Sequence, residues 1–91
     1  MAVNTKYNYR NLAAAGDVVV SRKGGTLHTI VINTTAASAI SIYDGLNSSG
    51  TKIANIAASP VIGSTLTYDV EFGTGLFVSV GGASDITLSI S

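Results

Sequence analysis

From Thr65 to Phe72 the chain alternates polar and apolar side chains without a break. Leu66, Tyr68, Val70 and Phe72 fall on one side of an extended backbone, and Thr65, Thr67, Asp69 and Glu71 on the other. A period of two is that of a strand with one face buried. LFVSV sends Leu76, Val78 and Val80 inward, and DITLSI does the same with Ile86, Leu88 and Ile90. SAISIYD points Ile40 and Ile42 to the core, and DVVVS sets Val18 and Val20 against Val19. TLHTIVIN begins as an alternation and ends in Ile30-Val31-Ile32, apolar on both sides. Such a strand is central between two covered faces or lies at a subunit contact. TKIANIA changes phase between Ile53 and Ile56, which predicts a bulge or a strand end there.

Each run is bounded by Gly, Ser, Asp or Pro, the residues that make turns. Seven strands are therefore predicted from Asp17 to Ile90, with a possible eighth in TKYNYR near the start. NLAAAGD and TTAASA are too short for a stable helix. Short strands at intervals of about ten residues predict an all-β domain, a single antiparallel β-sandwich of jelly-roll or immunoglobulin-like type. Residues 1–16 differ from the rest, being polar and carrying Lys6, Tyr7, Tyr9 and Arg10. They read as an extended N-terminal arm that lies on a neighbour or adds an edge strand to it. Residues 17–91 then form the sandwich.

Composition changes the picture in one respect. Charged residues make up 11% of the chain, with five Lys and Arg against five Asp and Glu; ordinary domains carry about 25%. Ser and Thr supply the polar faces instead. So little charge, balanced to zero, keeps subunits apart poorly. It points to a subunit covered by others in an assembly. An isolated copy would lack the usual Lys and Pro guards on its strand edges and is expected to aggregate. Lys6, Arg10, Arg22 and Lys23 crowd into the first 23 residues. They are too dispersed for a nucleic-acid stripe, so no nucleic-acid partner is expected. No membrane partner is expected either, since no run approaches the ~20 apolar residues that span a bilayer.

Candidate chemistry is thin. One His and no Cys exclude zinc, copper or iron sites within a single subunit. The loop DGLNSSG offers calcium a single carboxylate, Asp44, so its Asp-Gly reads as a turn. Asp69 and Glu71 share a strand face with Thr65 and Thr67, as solvated residues do. His28 could serve a serine nucleophile as base, giving a small hydrolase as the weakest reading. No Gly-x-Ser-x-Gly elbow accompanies it, and on the pattern it alternates with Ile30 and Ile32 as a partly buried histidine bonded to a neighbour. The expectation is a non-enzymatic protein with no catalytic residue, no metal and no cofactor. Tyr43 and Phe77 point away from the core on the alternation, and exposed aromatics bury at interfaces or stack on sugars. With Lys6, Tyr7, Tyr9 and Arg10 they are the candidate interface residues.

SAISIYDGLNSSGTKIANI and TLTYDVEFGTGLFVSVGGASDITLSIS together resemble small β-sandwich structural proteins of tailed bacteriophages. The likeness lies in an Ile-Tyr-Asp-Gly turn, a Gly-Thr-Lys-Ile strand, a Thr-Tyr-Asp-Val strand, a Gly-Leu turn and a final Asp-Ile-Thr strand. It covers residues 38–91, and the N-terminal portion departs from it. The resemblance implies a virion component, a head decoration or cement protein assembled in the host cytoplasm. Such proteins sit as homo-oligomers, often trimers, on the outer capsid surface and clamp the major capsid protein. Related folds in tail and fibre proteins imply the alternative, a binding module for host glycans.

Overall fold

In the computed structural model, residues 7–34 and 39–91 are described, and they form eight strands with no helix. In chain order these are β1 (Asn8–Leu12), β2 (Gly16–Ser21), β3 (Gly25–Thr34), β4 (Ile40–Asp44), β5 (Thr51–Ile56), β6 (Thr65–Phe72), β7 (Leu76–Val80) and β8 (Asp85–Ile90). Two four-stranded sheets result, ordered β1-β8-β3-β6 and β2-β7-β4-β5, with every pair antiparallel. First pairs with last, second with seventh, third with sixth and fourth with fifth. That is one long hairpin rolled up on itself, the jelly roll. It decides between the two sandwich types that the alternation left open.

The core lies between the sheets. Leu12, Leu27, Ile30, Ile32, Phe72, Ile86 and Leu88 fill it from one side, and Ile40, Ile42, Ile56, Leu76, Val78 and Val80 from the other. The predicted inward residues of β4, β7 and β8 are all among them or packed against them, as are Val18 and Val20. β3 is central in its sheet, and its apolar run has Ile30 and Ile32 fully buried while Val31 faces outward and is partly exposed.

Three of the four edge strands are bulged. β2 carries an extra residue, Val20, relative to β7. β5 carries an extra Ile53 between the partners of Ile42 and Tyr43, which is the phase change expected there. On β6, Tyr68 and Asp69 together oppose His28. A bulge twists an edge away from further pairing. The edges are thus guarded by geometry where Lys and Pro are scarce. β1 alone keeps an unbroken ladder, from Asn8 opposite Ile90 to Leu12 opposite Ile86.

The N-terminal reading needs correction at this point. Asn8–Leu12 is the edge strand of the chain's own sheet, and Gly16 already belongs to β2. Leu12 inserts into the core, 5% exposed, and that burial ties the segment down. Residues 8–16 are therefore sandwich, not arm. Residues 1–6, which include Lys6, lie outside the described part.

The rolled hairpin has two ends. Connections 22–24, 45–50 and 73–75 gather at one, and connections 13–15, 57–64 and 81–84 at the other. Direct contacts fix each grouping. Gly45 N–H donates to the Gly75 carbonyl at 3.0 Å at the first end; Gly63 N–H donates to the Ile32 carbonyl at 2.7 Å at the second.

Candidate functional site

Tyr7 does not reach outward freely. Its ring stacks on His28, with centroids 4.2 Å apart and planes 10° from parallel. Tyr9, opposite Ser89, is 79% exposed on the outer face of the edge strand. Arg10, opposite Leu88, is exposed as well. Tyr9 and Arg10 are thus both exposed, while the predicted contact Lys6 lies outside the described residues.

Tyr43 and Phe77 come together, but not as two exposed aromatics. They are cross-strand partners in a row that runs Val19, Phe77, Tyr43, Lys52 across the outer face of the second sheet. The rings are 6.0 Å apart at a 51° tilt, and Lys52 Nζ sits 5.7 Å from the centre of Tyr43. Flanked on both sides, Phe77 is only 7% exposed, which overturns the expectation of an exposed ring. Tyr43 stays half-buried and keeps an accessible side. The adjacent row is polar and internally satisfied. Ser79 Oγ donates to Asp17 at 2.7 Å and Ser41 Oγ to Asn55 at 3.0 Å.

His28 lies on the outer face, not the inner one. Leu27 and Ile30 are both fully buried three residues apart, because His28 is an extra residue on β3 relative to β8. Its Nδ1 donates to the Asp69 carboxylate. Asp69 reaches it from a left-handed backbone, φ 50°, at the bulge in β6; Asp tolerates this conformation better than most residues. A carboxylate orienting an imidazole is two thirds of a hydrolytic triad. Among the described residues no hydroxyl is hydrogen-bonded to the ring, and no cavity opens beside it.

The loop after β4 is a turn built on its own side chains. Asp44 accepts N–H bonds from Gly73 and Thr74, each at 2.9 Å, and from Gly75 at 3.4 Å. These backbone donors, Gly73 and Thr74 foremost, hold its carboxyl below the usual aspartate value. Asn47 Oδ1 accepts from Ser49 N–H at 2.9 Å. The Asp44 oxygens thus bind the neighbouring turn, and the Asn47 side-chain oxygen closes its own loop. Gly75 must be glycine here, since a Cβ would come 2.6 Å from the Ser21 carbonyl oxygen. At the opposite end Asp85 accepts from Asn11 at 2.7 Å and Asn33 at 3.0 Å, which lower its pKa in the same way.

Three exposed apolar residues were not singled out by pattern, among them Leu46 in the β4–β5 connection, 41% exposed. Val61 and Ile62, in the β5–β6 connection, are 74% and 62% exposed. The signal was present in Pro60-Val61-Ile62-Gly63, an apolar pair between two turn residues with no strand to bury it. Comparisons with protein-family models, curated proteins and solved structures find no match to the chain.

Proposed function

We propose that this chain is a non-enzymatic structural subunit of a phage particle, a decoration or cement protein bound as a homo-oligomeric trimer to the major capsid protein on the outside of the head. The observation that carries this reading is the exposure of Tyr9, Val61 and Ile62, at 79%, 74% and 62%, on a sandwich with few charges and no net charge. Large apolar side chains left in water on a rigid, weakly charged body mark surfaces that other proteins cover. The jelly roll supports it by analogy, being a frequent architecture of viral capsid domains. Three of the carboxylates that could do chemistry are engaged within the fold: Asp44 holds a turn, Asp85 ties β1 to β8, and Asp69 fixes His28. The test is sedimentation of the purified chain with undecorated heads, together with native mass spectrometry. Saturable binding and a trimer mass are expected. A monomer that never sediments with heads contradicts the reading.

A second reading, a tail or fibre module that binds host glycans, draws on Tyr43. Its half-exposed ring beside Ser41 and Asn55 is the pairing of apolar face and polar groups that sugars use. Glycan-array signal lost in Tyr43→Ala would favour it. Phe77→Ala is not an equivalent probe, because Phe77 is packed between Val19 and Tyr43 and its loss acts on stability.

A further inference from the structure

We propose that the end of the jelly roll bearing Val61 and Ile62 is the face that docks on the shell, and that it fits a protein surface apolar at its centre and cationic at its rim. The proposal rests on the decoration reading and adds which end of the molecule makes the contact.

Four observations converge. The first is the apolar tip itself. The Val61–Ser64 turn is closed by Ser64 N–H and Ser64 Oγ, which donate to the Val61 carbonyl at 3.2 and 2.6 Å. Gly63 sits at the third position with φ 84°, as a type II turn requires. Gly63 N–H and the Ser64 carbonyl then bond to Ile32 on β3, at 2.7 and 2.9 Å. The pair is thus pre-positioned, and presenting it costs little further ordering.

The second is what surrounds it. Ala13, Ala14 and Ala15 in the β1–β2 connection, Ala57 and Ala58 after β5, and Ala83 in the β7–β8 connection are all exposed at this end. Side chains this small let a flat partner approach the tip closely.

The third is the sorting of charge. The lysines and arginines among the described residues lie away from this end: Arg22 and Lys23 in the β2–β3 connection and Lys52 at the start of β5 share the opposite end with Asp44 and Glu71, and Arg10 is within β1. Among the described residues no Lys or Arg lies in connections 13–15, 57–64 or 81–84. The charges there are Asp17 and Asp85, at the first residues of β2 and β8 or one beyond.

The fourth is how those anions are held. Asp85 is bound by the neutral amides of Asn11 and Asn33, and Asp17 by the Ser79 hydroxyl. Neutral donors fix the carboxylates in place without cancelling them. Charge complementarity therefore selects a partner that brings its own Lys or Arg to the rim.

The experiment uses the full chain and undecorated heads. Binding is measured for the wild type, for Val61→Ser with Ile62→Ser, and for Lys52→Ser with Arg22→Ser at the opposite end. Circular dichroism and melting of each variant check the fold. The expected result is binding weakened at least about tenfold in the Val61/Ile62 variant, as for loss of central apolar anchors, and little change in the Lys52/Arg22 variant. Wild-type binding that the Val61/Ile62 variant retains overturns this assignment alone. Loss of self-assembly in that variant with head binding kept also overturns it, making the tip a contact between copies. Failure of the wild type to bind heads removes the decoration reading, and this assignment with it.

Discussion

Asp69 holds a left-handed backbone and spends its carboxylate on His28, and each fact explains the other. The bulge turns the side chain toward the imidazole, and the hydrogen bond offsets part of the conformational cost. Asn can adopt the same backbone and still accept the bond, whereas Val, β-branched and without a polar atom, can do neither. Asp69→Asn is expected to leave denaturant stability nearly unchanged, and Asp69→Val to lower it by about 1–2 kcal/mol. Equal stability of the two would contradict the account. Asp44 gives a pH signature. Its folded pKa lies below the unfolded one, so its contribution is fully present above the ordinary aspartate range and fades as pH falls through the lowered folded value. Asp44→Asn should melt lower than the wild type at neutral pH, and the gap should narrow on acidification. Parallel melting curves from neutral to acid pH would deny Asp44 that role. The Asp-Gly turn and a partly buried histidine bonded to a neighbour were legible beforehand, but the partners of Asp44 and the bulge at Asp69 were not. Alternation placed Asp69 on the polar face, but its bulge and its partner depend on how β6 meets β3.

At the scale of strands, the sequence was readable wherever a strand keeps strict alternation. Ile40, Ile42, Leu76, Val78, Val80, Ile86 and Leu88 all point inward as the period of two requires. Reading failed where one residue is added. His28 was set beside Ile30 and Ile32, but the bulge sends it to the outer face and brings Leu27 inside. Phe77 was rightly placed on the outer face, yet its burial comes from Val19 and Tyr43 on the adjacent strands, which the chain's own order does not reveal. The start of the chain was misjudged for a related reason. An eighth strand near the start was expected, but NYRNL buries a single apolar residue, Leu12, and only pairing with β8 makes it an edge of the chain's own sheet. The core gives the sharpest test at this scale. Ile30 is fully buried on the central β3, so Ile30→Ala should cost about 2–5 kcal/mol. Against a total of about 5–15 kcal/mol for an ordinary domain, urea unfolding would show a large loss. A loss below about 1 kcal/mol would mean that the sheets do not pack as described.

For the whole molecule, the jelly roll sorts residues in a way that chain order conceals. The excess of cations in the first 23 residues turns out to be spread over an end, an edge strand and residue 6, which is outside the described part. The proposed docking end, with alanines, Val61 and Ile62 and no Lys or Arg among its described residues, differs from the opposite end, where Arg22, Lys23, Lys52, Asp44 and Glu71 mix charge with a single exposed Leu46. The candidate site was legible in part: Tyr9 and Arg10 are exposed as expected, while Val61 and Ile62 emerge only when the turn is seen to have nothing over it. Bulges on three of the four edge strands, and the carboxylates of Asp44, Asp69 and Asp85 engaged within the fold, suit the proposed rigid part that meets its neighbours through side chains. On the proposed reading the chain belongs to a phage, and quantitative mass spectrometry of that phage's purified particles tests the reading most directly. A head decoration should be present in hundreds of copies per particle and be lost when heads are stripped. A few tens of copies that remain with isolated tails, or none in the particle at all, would contradict it.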